Sequence, residues 1–254
     1  MKDGLNDFLD SWPYEGGRPN VRIVLLDGGV RVVQVRLELG ALQMHLDGRP
    51  DGQRPHGAET LLEWHESRLE EHRKRFGTDQ GFGLTSEECD ALRNEGVQVY
   101  QRYSALFALD EHSLVTRDTE RNLRLFDFCQ NYALSHADRN ALEPYRPFVL
   151  MMRGRAQASQ AMQEGRAADA LAALDAALLQ IKAHYERNGA PGAMDHSNEV
   201  AMLRTMRNAL VPRLPMGERA ELEARLAAAV AAENYRLAAI LRDELRALDD
   251  RPKT

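Results

Sequence analysis

The chain holds only two cysteines in 254 residues, Cys89 and Cys129, and no C-x-x-C pair. A zinc ribbon needs such pairs and a disulfide framework needs more thiols, so both are excluded; two isolated cysteines fit a reducing cytoplasm. Aromatic residues are sparse, at 6%, and the abundance of Ala and Leu favours helix over sheet. Long apolar runs are missing. The longest, Leu226 to Ala232, falls far short of the ~20 residues that a membrane span requires. The opening Met1-Lys2-Asp3-Gly4 lacks the apolar segment of a signal peptide. A cytoplasmic protein with no membrane partner is expected. Excess positive charge is absent too: 33 Lys and Arg face 39 Asp and Glu, for a net charge of −6 and a pI near 5.8. Acids are interleaved with the arginines and no basic stripe emerges, so direct nucleic-acid binding is not expected.

What is present is mainly helical. Val21 to Leu39 alternates apolar and polar residues on either side of Asp27-Gly28-Gly29, which predicts a β-hairpin. Two strands alone are marginal in water, so they must lie on a helix or a partner. Next comes Gly48-Arg49-Pro50-Asp51-Gly52-Gln53-Arg54-Pro55-His56-Gly57, in which proline fixes φ and glycine frees it, so a sharply turning, ordered loop is expected. Helices are predicted at 58–76, 86–109, 111–135, 147–164, 167–188 and 197–210. Thr85 and Glu88 form a capping box for the second of these, with Leu84 as its staple. Ala158, Ala161, Gly165, Ala170, Leu174 and Ala177 resemble a tetratricopeptide-type helix pair. A weaker echo about 55 residues earlier is too distant for tandem repeats of ~34 residues. The expected fold is therefore mainly α: an irregular tetratricopeptide-like helical stack with an N-terminal β-hairpin and a C-terminal helical hairpin. The expected divisions are 1–83, 84–212 and 213–250, with Pro212 and Pro215 ahead of the last.

That last stretch, from Ala220 to Leu248, carries two helical patterns joined at Glu233-Asn234-Tyr235. Leu222, Leu226, Ala229 and Val230 share one face of the first, and Tyr235, Ala238, Leu241 and Leu245 share one face of the second. Ordering about 30 residues costs roughly 30–60 kcal/mol of backbone entropy, and alanine-sized side chains recover little of it by burial. Such a hairpin must dock or self-associate. The Glu233-Asn234-Tyr235 turn, the paired Ala238-Ala239 and the Leu241-Arg242-Asp243 run resemble the UVR motif, the helical hairpin through which the UvrB and UvrC excision-repair proteins meet. The motif type also occurs in regulators of protein quality control, so the resemblance implies binding and does not by itself imply repair. The quality-control type carries paired-cysteine zinc sites that this chain lacks. With the Arg-Pro loop and the stretch Arg121 to Phe128, the chain further resembles a bacterial group of UVR-motif proteins, a likeness that brings no activity with it.

Residues that could carry chemistry are few. His65-Glu66 is followed by Ser67-Arg68-Leu69, not by the second histidine of a zinc protease, and no Glu-x-x-His occurs. Cys129 lies beside Phe126 and Phe128 in an apolar helix and has no base nearby. Asp118, Glu120 and Asp127 fall among arginines at ion-pair spacing. No catalytic residue, metal site or cofactor is expected. The leading expectation is a non-enzymatic adaptor that binds another protein, or a second copy of itself, through Leu222, Leu226, Tyr235, Ala238, Leu241 and Leu245, in a setting such as excision repair or a stress response. The alternative is a binder of small anions, or an enzyme, centred on Arg49, Arg54 and His56. A third reading is a repair accessory that reaches DNA only through its partner.

Overall fold

The computed structural model describes residues 4–211 and 218–249, so the expected breaks at Pro212 and Pro215 lie outside the described residues. The chain is mainly α: 68% helical, with ten helices and one small antiparallel sheet among the described residues. In order these are α1 (Gly4–Ser11), β1 (Val21–Leu25), β2 (Arg31–Leu37), β3 (Gly40–His45), α2 (Leu61–Phe76), α3 (Ser86–Phe107), α4 (His112–Tyr132) and α5 (His136–Asn140). Then come α6 (Arg146–Gln163), α7 (Ala167–Arg187), α8 (Asn198–Leu210), α9 (Glu218–Ala231) and α10 (Tyr235–Asp249). The chain divides into two compact units, Met1–Ala156 and Gln157–Thr254, with the boundary inside α6. This differs from the divisions expected at 83/84 and 212/213.

In the N-terminal unit the predicted β-hairpin forms with Val21 opposite Val35 and Ile23 opposite Val33. Gly28 and Gly29, at φ 84° and 81°, make its turn. The second strand does not run on to Leu39. It stops at Leu37, and the chain doubles back into β3, pairing Val33 with Met44 and Val35 with Leu42. Glu38-Leu39 is not a turn-forming pair. The reversal is held by the Arg36 guanidinium, which donates to the carbonyls of Leu37, Glu38 and Gly40. A short-range pattern cannot show that contact.

Long-range charge pairs join the sheet and loop to the helices, which is why no boundary falls at residue 83. Arg102 on α3, 1% exposed, makes a two-point bond to Asp118 on α4 at 2.6 and 2.8 Å. Its remaining donors reach the carbonyls of His45 and Gly48, each at 2.8 Å. Arg117 links Asp118 to Asp47 and to the Leu46 carbonyl. The capping box at the start of α3 forms as expected: Thr85 Oγ1 accepts from the Glu88 amide, and the Glu88 carboxylate accepts from the Thr85 amide.

In the C-terminal unit Gly165, at φ 73°, turns the chain between α6 and α7. The small residues expected for this helix pair, Ala158, Ala161, Ala170 and Ala177, are all buried. Helix α7 pairs with α8, and α9 with α10.

Candidate functional site

The C-terminal hairpin turns where the sequence places it. Asn234 caps α10, its side-chain oxygen accepting from the Leu237 amide at 3.2 Å, and Glu233 takes the left-handed φ of 55° that reverses the chain. Most of the apolar faces, however, turn inward, with Val230 and Tyr235 left 48% and 68% exposed. Leu222, Ala238 and Leu241 are 3%, 8% and 0% exposed and share a core with Ala229, Leu171 of α7 and Val211. Leu226 and Leu245 pack against that core, partly buried. Of the six residues expected at a partner surface, only Tyr235 is freely exposed, at 68%. The physical reason is that burying each leucine is worth about 1.5–3 kcal/mol, and α7 together with Val211 supplies the apolar cover that the sequence reading sought in a partner.

A buried polar lock secures this arrangement. Arg207 of α8 donates through Nε to Asp175 of α7 at 2.6 Å and pairs through Nη2 with Glu244 of α10. Arg225 of α9 approaches the other oxygen of Asp175 at 3.8 Å. Arg207, Asp175 and Glu244 are each less than 10% exposed, so removing any one strands charge in the interior. None of the three was expected at a site. One signal was available: Asp175 is the only charged residue on the α7 stripe of Ala170, Leu171, Leu174 and Ala177, and an acid on an apolar face needs a buried partner.

The hairpin instead completes a groove of about 420 Å³, within the size range of ligand sites. Helix α7 contributes Leu178, Leu179, Lys182 and Glu186. The 3₁₀ segment Pro191–His196 contributes Pro191, Met194 and Asp195, and α8 contributes Arg204, Arg207 and Asn208. The fourth wall is the start of α10, with Arg236, Leu237 and Ile240. Leu179 and Ile240 remain 46% and 42% exposed.

In the N-terminal unit, the three residues expected to cradle an anion do not converge. Arg49 bonds Asp51 at 3.0 Å and approaches Glu95 at 3.8 Å. Arg54 turns to Glu59 at 3.1 Å. His56 stacks flat on Trp64, ring centroids 3.8 Å apart, from a left-handed backbone at φ 53°. A recess of about 180 Å³ does lie at the loop, lined by Arg49, Arg54 and His45, but Asp47 and Glu59 line it as well and His56 does not. Each arginine faces a carboxylate: Arg49 and Asp51 are partly buried, whereas Arg54 and Glu59 are mostly exposed and form an ordinary surface pair.

Several other titratable groups lie buried in the N-terminal unit. Glu95 is fully buried and accepts from the Leu61 and Leu62 amides at 2.7 and 3.2 Å and from Arg121. It thereby caps the start of α2. Burial lowers the Arg121 pKa, against the pull of Glu95. His65 sits at 1% exposure on α2, and burial lowers its pKa to about 4. Cys129 is pushed up to about 12 by burial and Cys89 is raised for the same reason, so both thiols stay protonated and unreactive. No group of three or more metal-binding side chains occurs among the described residues. No described helix is long and apolar enough to cross a membrane. No family model, curated protein or solved structure matches this chain.

Proposed function

We propose that this protein is a non-enzymatic adaptor that binds another polypeptide through its C-terminal unit. The UVR-like hairpin acts as a fixed wall of the binding groove and not as a free hook. The observation that carries this reading is the hairpin's division of labour. Its inner leucines are consumed in the core with Leu171 and Val211, while Arg236, Leu237 and Ile240 line an open groove with α7 and α8. Exposed apolar side chains set among charged ones around a concavity are what a protein-binding site offers. The contact residues on this reading are Leu179, Met194, Ile240 and Tyr235, in place of Leu222, Ala238 and Leu241. A reducing cytoplasm is the proposed setting, supported by the two buried free thiols.

Photo-crosslinking in cells tests the reading. A photoreactive amino acid replacing Leu179 should trap a defined polypeptide adduct, whereas the same group replacing Leu39, which is 94% exposed on the β2–β3 turn, should not. Identical products from both positions would contradict a groove-specific contact.

A further inference from the structure

The groove has a chemistry that selects its occupant. Its apolar lining is Leu178, Leu179, Met194, Leu237 and Ile240. Its charges are of two kinds. Asp175 and Arg207 are buried and already engaged in the lock with Arg225 and Glu244. The outward charges are Lys182, Arg204 and Arg236 against Glu186 and Asp195, three cations to two carboxylates. Lys182 is closely paired with Glu186 at 3.2 Å. That leaves Arg236 reaching the same Glu186 at 3.8 Å and Arg204 reaching Asp195 at 3.9 Å. Charge-assisted N–H···O bonds close to about 2.7–2.9 Å, so neither guanidinium makes one there. Arg204 and Arg236 have side chains 51% and 71% exposed, and the net charge of the whole chain is −6, so this is cationic rim on an acidic protein.

Arginine's planar fork engages carboxylates at two points. On α10, Arg236 and Ile240 lie four residues apart on one helix face, which sets an apolar contact directly beside a carboxylate-binding donor. We infer that the groove takes a short peptide segment of a partner protein in which an apolar anchor, such as Leu, Met or Phe, is flanked by Asp or Glu. The anchor seats between Leu179 and Ile240, and the acidic residues reach Arg204 and Arg236. This inference rests on the adaptor reading above and adds to it the identity of the ligand.

Selection of a random dodecapeptide library on the immobilised full chain tests it, followed by affinity measurement of the enriched peptides against two variants. One is Leu179→Glu with Ile240→Glu, and the other is Arg204→Glu with Arg236→Glu. All four positions are exposed, and an unchanged unfolding transition verifies that each variant folds. The expected result is enrichment of peptides combining an apolar residue with acids, and a loss of affinity of about tenfold or more in either variant. The arginine-reversed protein should select basic peptides instead, and binding to the wild type should weaken with salt. Enriched peptides that need Leu179 and Ile240 but carry no carboxylate, and that bind the arginine-reversed variant equally well, would overturn the acidic-ligand inference while leaving the groove reading intact. Peptides indifferent to both variants, or no enrichment at all, would overturn both.

Discussion

Leu241→Ala separates two physical pictures of the C-terminal hairpin. If the α10 face were a docking surface awaiting a partner, truncating Leu241 would cost the isolated protein little, because a half-exposed leucine loses few contacts. Leu241 is instead 0% exposed and packed among Leu171, Val211, Leu222 and Ala238. Removing a fully buried leucine costs about 2–5 kcal/mol, with the spread set by how far the cavity collapses. Leu171, Val211 and Leu222 line the resulting cavity and can close it only in part, so a cost near the middle of that range is expected. For a unit of about a hundred residues each kcal/mol lowers the melting temperature by about 4–8 °C, so the C-terminal unit should melt more than about 10 °C earlier. Ile240→Ala is the control: at 42% exposure it should cost less than about 1 kcal/mol. Urea unfolding followed by circular dichroism reads both. A cost below about 0.5 kcal/mol for Leu241→Ala, comparable to that of Ile240→Ala, would refute the claim that this face is sealed within its own unit.

Glu95→Ala should destabilise the N-terminal unit by about 3–5 kcal/mol, because it strands the Arg121 guanidinium and leaves the Leu61 and Leu62 amides without an acceptor; loss of under about 1 kcal/mol in equilibrium unfolding would contradict the buried network. His65 makes stability fall in mild acid. Its pKa drops from 6.5 to about 4 on folding, so between those values the unfolded chain binds the extra proton, and stability declines as pH falls through that window. The full loss is of order 3 kcal/mol, and His65→Asn should flatten the profile between pH 6.5 and 4; an unaltered slope in that variant would argue against burial as the cause.

The sequence made the local elements legible and left the pairings between them hidden. The Asp27-Gly28-Gly29 turn, the Thr85–Glu88 capping box and the Glu233-Asn234 reversal all lie within a few residues of what they stabilise, and periodicity places the longer helices to within a few residues, while the short α1 and α5 are too brief to show a period. The third strand was hidden because its turn is held by Arg36, not by turn-forming residues. The Arg102–Asp118 and Arg207–Asp175 bonds span 16 and 32 positions, beyond the reach of a helical pattern. The Arg-Pro loop turns sharply, as its prolines and glycines predict, with the Gly52 and Gly57 amides bonded to the Arg49 and Arg54 carbonyls. What Arg49, Arg54 and His56 face could only come from the fold, and they face two separate sets of carboxylates and an indole ring. For the hairpin, the sequence identified which leucines are apolar contacts but not which surface they contact, since a partner helix and α7 of the same chain present the same chemistry.

Native-state amide hydrogen exchange across α9 and α10 tests the central claim most directly. If the hairpin is a built-in wall of the groove, locked by Arg207, Asp175 and Glu244, its core amides near Ala229 and Leu241 should open only with α7 and α8, at the same free energy and with the same denaturant dependence. Exchange of those amides at near-zero free energy, while α7 and α8 remain protected, would show a hairpin that detaches on its own and would contradict the account.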